Sequence, residues 1–260
     1  MSLTIRPALR ALCITALLAG TTALVGAQTP VQTPAQTRTP EEILRRYTAA
    51  IDPENRIASL EGVRTVGQME MPAMGVSATI TGVQRRPNQM IMTISIAGIG
   101  EMKQGFDGTT AWASDPMSGP RILSDAETKQ MQDGANFEAM GRDPSLFTKI
   151  EAAAETVVDG EAADCVQLTW KSARVTSECY ARTNGLMIES RSKQASPQGE
   201  IETVTRMYDY KPVGGVLMAH RLQNEMMGAT QIITLTEVAV GPVDAKLFEL
   251  PPEIKALKKP

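Results

Sequence analysis

Histidine occurs once in the 260 residues, at His220, and aromatic side chains make up only 4% of the chain. A general base needs a partner within hydrogen-bond reach. No Ser or Asp arrangement around His220 supplies one, and alternation puts His220 on the same strand face as Met218 and Leu222. Nothing else in the sequence reads as catalytic, so the chain is expected not to be an enzyme. Three cysteines and one distant histidine make a poor metal-ligand set. Gly98-Ile99-Gly100 is at most half a phosphate loop, because no helix start follows and Glu101 comes next. No cofactor and no metal are therefore expected. Excess positive charge is lacking too: Lys and Arg number 26 against 29 Asp and Glu. A mildly acidic chain has no long-range attraction for nucleic acid. The one basic cluster, Lys255, Lys258 and Lys259, lies at the tail.

Long apolar runs are scarce as well. Ala11 to Val25 is mostly apolar but shorter than the roughly 20 residues a membrane span needs. Arg6 and Arg10 precede it, and small residues at Val25-Gly26-Ala27 follow. Residues 1–27 thus read as a secretory signal cleaved before Gln28. Cleavage takes two of the 26 basic residues, leaving 24 against 29 acidic ones, a net charge of −5. Cys13 would leave with the signal. Cys165 and Cys179 stay, and in an oxidising compartment they are expected to be bridged. A hairpin centred on Ser172 would set them opposite each other. A metal role has too few ligands, and the spacing is not Cys-x-x-Cys, as a redox site would need.

Residues 28–39, with Gln-Thr-Pro repeated at 28–30 and 32–34, read as a disordered linker. A helix is expected from Thr39 as N-cap, with Pro40 in the first turn and Glu42 closing a capping box. Ile43, Leu44, Tyr47 and Ile51 form its apolar face. Short strands follow. Gly62–Met71 and Val76–Val83 flank Pro72 and Gly75, and Pro87-Asn88 turns the chain into a third strand. Val76, Ala78 and Ile80 share one face; Met90, Met92, Ile94 and Ile96 share another. Such alternation indicates antiparallel sheet. Asp107-Gly108 predicts a tight hairpin between Met102–Phe106 and Thr109–Ala113. Ser124 and Glu127 predict a second capped helix reaching toward Met140, with Gly134 as its weak point. Asp143-Pro144-Ser145 opens one more helical turn. Strands then resume through Asp159-Gly160, Thr183-Asn184-Gly185, Ser196 to Gly199 and Gly214-Gly215, ending with Thr230–Val240. Pro251-Pro252 is expected to end the ordered chain.

The expected fold is mainly β with α: a curved antiparallel sheet, an unclosed half-barrel, covered by helices on its apolar face. Methionine occurs 15 times, more often than all the aromatic residues together. It fills irregular cores, and it also suits surfaces that adapt to varied apolar shapes. Scarcity of rings favours the second use, a space lined by Met69, Met71, Val76, Ala78, Ile80, Met90, Met92, Ile94 and Ile96. Met131, Phe137, Met140, Leu146 and Phe147 would line it from the helical side. Burying about 14 methylenes at roughly 0.8 kcal/mol each gives a gross gain near 11 kcal/mol, before the costs of binding.

Several short motifs occur in a familiar order. They are Gly105-Phe106-Asp107-Gly108-Thr109-Thr110-Ala111-Trp112, Thr183-Asn184-Gly185-Leu186-Met187, Tyr208-Asp209-Tyr210 ahead of Gly215-Val216, and Phe248-Glu249-Leu250-Pro251. Together they resemble the LolA-like family of outer-membrane lipoprotein-sorting proteins over residues 40–257. The resemblance implies one domain around an apolar cavity, a periplasmic location, and carriage of acylated lipoproteins or lipids. The alternative is an envelope-sensing module on the same fold with a protein partner. Ile232 and Ile233, on opposite faces of the last strand, fit that alternative.

Overall fold

Thr39 starts the first helix as its side chain predicts. Its hydroxyl accepts from the Glu42 amide at 3.2 Å, and the Glu42 carboxylate accepts from the Thr39 amide at 2.9 Å. This closes a capping box on α1 (Pro40–Ile51), which buries Ile43, Leu44, Tyr47 and Ile51. The computed structural model describes residues 38–197 and 199–258; the expected signal and all but the last two linker residues lie outside these. Those two are not free tether. Arg38 donates to Asp164 at 2.5 Å, and Thr39 is the cap.

Fourteen strands follow among the described residues. The first six are β1 (Gly62–Met71), β2 (Val76–Arg85), β3 (Gln89–Ile96), β4 (Gly100–Phe106), β5 (Ala111–Asp115) and β6 (Gly119–Ile122). Helix α2 (Asp125–Ala135) interrupts them. Then come β7 (Phe147–Ala152), β8 (Thr156–Val158), β9 (Glu161–Trp170), β10 (Val175–Ala181) and β11 (Met187–Ser196). The last are β12 (Gly199–Val213), β13 (Val216–Met226) and β14 (Ala229–Val240), ahead of α3 (Pro252–Leu257). All pairings are antiparallel, in the order β6-β5-β4-β3-β2-β1-β14-β13-β12-β11-β10-β9-β7, with β8 beside β9. The first and last strands of this series do not pair, so the sheet stays open. The fold is mainly β with helices, as the alternation implies. One long-range pairing joins its halves: β1 meets β14 with Val63 opposite Val240, across a bulge at Val66 and Gly67.

Three local expectations change. Asp107-Gly108 does not form a two-residue hairpin. The Asp107 carboxylate accepts from the amides of Thr109 and Thr110 at 2.7 and 2.6 Å, drawing both into the loop and delaying β5 to Ala111. Helix α2 passes through Gly134 and stops at Asn136, which turns extended and caps the next turn by accepting from Glu138 at 2.9 Å. Finally, Pro251-Pro252 does not end the ordered chain. Proline is well suited to a first helical turn, and α3 follows, with Ile254 fully buried against Trp112 and Leu250.

Cys165 and Cys179 stand opposite each other on β9 and β10 and are bridged, with Cα atoms 4.1 Å apart. Their mean position is Ser172, the centre expected for this hairpin. A bridge closing a loop of this size restricts the unfolded chain by about 3 kcal/mol. Cys165→Ser with Cys179→Ser should therefore lower the unfolding free energy by about 2–4 kcal/mol in a urea titration. A change within error would show that the loop is already constrained when unfolded.

Candidate functional site

The register of β1, β2 and β3 gathers nine side chains onto one face. Met69 lies opposite Ala78, and Met71 opposite Val76. Across the next seam Ala78 lies opposite Ile96, Ile80 opposite Ile94, and Met90 and Met92 continue the row beside Gln84 and Gly82. On the other side β14 adds Ile233, paired with both Met69 and Leu222 of β13. This is the helix-covered face, because Gln84 donates from it to the Gly134 carbonyl of α2 at 3.1 Å. Strands β13, β14, β1, β2 and β3 contain no Phe, Trp or Tyr. Gly67 sits at the bulge, where a Cβ would come within 2.5 Å of the Thr234 carbonyl oxygen, so β14 approaches β1 closely there. Met69 and Ala78 are buried, at 2% and 4% exposure, whereas Met71, Val76, Met90, Met92, Ile94 and Ile96 are half-buried. Beside this wall an open groove of about 230 Å³ is lined by Met92, Ile94, Met102, Gln104, Ala113 and Asp115, among others.

Four of the five helical-side residues are placed elsewhere, and Met131 meets the wall at Met90. Met131 packs with Phe106, Ala111, Leu123 and Ala135, where Met90 also reaches. Phe137 and Phe147 belong to the core beneath α1, with Met140 and Leu146 packed against it. The rings are concentrated in that core. Phe147 meets Trp170 edge-on at 4.9 Å, and Tyr47 lies 5.2 Å from Tyr180. The interior thus has two halves. Under α1 it is filled with rings, and Val63, Val216 and Val240 bring one end of β1, β13 and β14 into that core; toward the other end these strands, with β2 and β3, form an aliphatic, sulfur-bearing wall partly open to solvent.

A buried polar network is set into the ring-filled core, through Tyr180 and Trp170. Glu178, 1% exposed, accepts from Arg142 at 2.7 Å, Tyr180 at 2.5 Å and Thr176 at 3.3 Å. Thr176 in turn accepts from the Trp170 indole at 3.1 Å. Burial, joined by the Glu178 charge, pushes the Tyr180 hydroxyl well above its ordinary range. Burial alone would lower Arg142, yet Glu178 and the two tyrosines hold it above the ordinary arginine range. The sequence reading missed this network. Its one available signal was the shared parity of Thr176, Glu178 and Tyr180 on β10. Arg142 comes from a turn with a left-handed backbone, φ 57°, and nothing local aims it at a strand 36 residues away.

His220 is buried, at 8% exposure, and its Nδ1 donates to the Met218 carbonyl oxygen at 2.8 Å. That contact makes it a packed strand residue. Ile232 lies on the face opposite Ile233, between Glu70 and Gln223.

Helix α2 is fastened over the opening by polar ties. Gln130 accepts from the Ala195 amide at 2.9 Å, Asp133 pairs with Arg174 at 3.0 Å, and Arg121 pairs with Glu127 at 2.8 Å. Arg121 and the Ser124 cap hold the Glu127 carboxyl down at about 2, against an ordinary 4.5. A depressed acid adds stability that is complete above its unfolded value and is lost as pH falls through the folded one. The Glu127 contribution should therefore disappear between pH 4.5 and about 2. Glu127→Gln keeps an acceptor for the cap but loses the ion pair. Its acid denaturation curve should be shallower than wild type in that window; superimposable curves would remove Glu127 from the acid response.

No protein-family model matches the chain, and no curated protein does. Solved structures do. A LolA superfamily protein from Nitrosomonas europaea matches at a TM-score of 0.55 and 16% identity, over 82% of this chain and 98% of the other. A DUF1329 family protein from Desulfovibrio piger matches at 0.55 and 10% identity, over 85% of this chain and 100% of the other. A putative outer membrane lipoprotein-sorting protein domain from Vibrio parahaemolyticus matches at 0.50 and 9% identity, over 81% and 97%. The chain has the fold of these LolA-like structures: an open antiparallel sheet with helices on its inner face.

Proposed function

We propose that the protein is a non-catalytic binder of acyl chains, carrying lipids or acylated lipoproteins through the periplasm. The observation that carries this reading is the aromatic-free wall. Five adjacent strands present Met, Ile, Leu and Val on the inner face and contribute no Phe, Trp or Tyr of their own, six of the nine sequence-marked residues there are half-buried, and Phe106 of β4 is the ring that packs against them, at Met90. Flexible thioethers and branched aliphatics adapt to a hydrocarbon chain without demanding one headgroup. The export-type sequence at residues 1–27 and the bridged cysteines suit an oxidising compartment outside the cytoplasm. One solved structure of the same fold is named for lipoprotein sorting, which supports the same class of cargo.

Titration with a fluorescent long-chain fatty acid tests the proposal. Saturable binding, competed by unlabelled fatty acid, is expected. Absence of binding in a folded sample, or equal binding by an aromatic probe with no alkyl chain, would refute it.

A further inference from the structure

Four of the large apolar residues exposed on this protein share an unusual placement. Met74, Ile99, Met117 and Met227 are 65%, 50%, 85% and 83% exposed. Each occupies a hairpin tip: Met74 between β1 and β2, Ile99 between β3 and β4, Met117 between β5 and β6, Met227 between β13 and β14. The pairing puts these four tips on one rim. β1 ends where β14 begins, since Glu70 lies opposite Ile232, and β3 and β5 run the same way as β1. The hairpins are neighbours in the sheet, so with strands about 4.8 Å apart their tips recur roughly every 10 Å.

Three of the tips carry no charge: Met71 to Val76, Ile96 to Gly100 and Met226 to Thr230 contain no Asp, Glu, Lys or Arg. The fourth, Asp115 to Pro120, carries one carboxylate, which is turned back onto the Met117 and Ser118 amides. Two turns on the opposite rim, Arg86-Pro87-Asn88 and Asp107-Gly108-Thr109, are polar, and a third, at Gly214-Gly215, exposes no large apolar side chain. On the same rim, the β9–β10 turn of the ring-filled half carries Lys171 and Arg174. The four apolar tips run consecutively from the β13–β14 hairpin to the β5–β6 hairpin, whereas at the β9–β10 turn the exposed Val175 stands beside Lys171 and Arg174. Turn formation does not require these side chains. Met227 has φ 50° ahead of Gly228 at 75°, a left-handed pair for which Asn or Asp is the favoured first residue. Met117 is held outward in a turn whose amides donate to Asp115 at 2.9 and 2.7 Å.

We infer that this rim docks the protein onto a lipid bilayer, with the four tips inserting between headgroups and the wall opening toward the membrane. The inference rests on the acyl-binding reading for the use of that contact. Separate apolar pegs on small turns suit a fluid interface, whereas a protein partner is generally met by a contiguous patch around buried anchors. The protein's net acidity gives anionic headgroups no added attraction. At the rim two of the tips lead directly inward: Met71, Val76 and Ile96 are the wall residues that adjoin Met74 and Ile99. An acyl chain leaving the bilayer between the Met74 and Ile99 tips would meet aliphatic surface first, with Asp115 to one side at the β5–β6 tip.

Co-sedimentation of the protein with phosphatidylcholine vesicles tests the inference. Wild-type protein should bind, and binding should survive high salt. A variant with Met74→Ser, Ile99→Ser, Met117→Ser and Met227→Ser, all at exposed positions, should bind at least about tenfold less. It should keep wild-type uptake of a soluble fluorescent fatty acid and a wild-type circular dichroism spectrum. Wild-type protein that ignores vesicles, vesicle binding that salt abolishes, a rim variant that binds equally, or tips that capture a protein but no vesicle would each overturn it. Loss of fatty-acid uptake with rim-dependent vesicle binding intact would instead remove the cargo proposal and leave the rim standing.

Discussion

Arg142→Met should destabilise the protein by about 3–5 kcal/mol, because it leaves Glu178 charged and unpaired in the interior. The effect is large for a domain whose total stability is on the order of 5–15 kcal/mol. Glu178 is 1% exposed, and its two carboxylate oxygens are engaged by Arg142, Tyr180 and Thr176. Removing the guanidinium also frees the Ala139 carbonyl, which Arg142 binds through a second nitrogen. Arg142 supplies the ion pair between β10 and the segment joining α2 to β7, beside the packing of Phe137 in the core that holds Tyr180, so the variant should loosen that segment first. Hydrogen exchange should be fastest at residues 137–146. Adding Glu178→Gln to Arg142→Met removes the buried charge and should recover a substantial part of the loss. A single variant within about 1 kcal/mol of wild type in a urea titration would mean that water reaches Glu178.

Ile94→Glu should abolish fatty-acid capture while leaving the fold intact. Ile94 is half-buried, sits mid-strand opposite Ile80 and Met102, and lines the groove beside Met92. A carboxylate there can stay hydrated in the empty protein, so folding is affected little. A bound alkyl chain would have to desolvate it, at a cost of several kcal/mol, equivalent to more than about hundredfold in affinity. Met92→Glu should behave alike. Ile94→Ser separates charge from shape and should lose a smaller factor, on the order of ten to a hundred. Undiminished uptake in a folded Ile94→Glu protein would move the cargo site away from this wall.

Much of this architecture was legible because local chemistry agreed with the final fold. Thr39 and Ser124 announced their helices through a side-chain acceptor and a glutamate three residues on, and both boxes form. The alternation of Met90, Met92, Ile94 and Ile96 fixed which side chains travel together, since a period of two survives whatever the strand pairs with. Illegible features depended on partners distant in sequence. Pairing of β1 with β14 spans nearly the whole domain, and no residue pattern announces it. The division of the interior was equally hidden. Phe137 and Phe147 looked like candidates for the same lining as Met92, yet they pack beneath α1 with Trp170 and Tyr180. That outcome depends on where α1 docks, which periodicity alone does not reveal. α3 was missed for a narrower reason: Pro251-Pro252 reads as a stop, although proline in a first helical turn gives up no hydrogen bond.

Native mass spectrometry of the protein released gently from its own envelope tests the central claim most directly. Wild-type protein is expected to carry a non-covalent adduct with the mass of a lipid or acylated peptide, and Ile94→Glu protein isolated in the same way is expected to arrive bare. An empty wild-type protein, or an adduct that Ile94→Glu retains, would contradict the account.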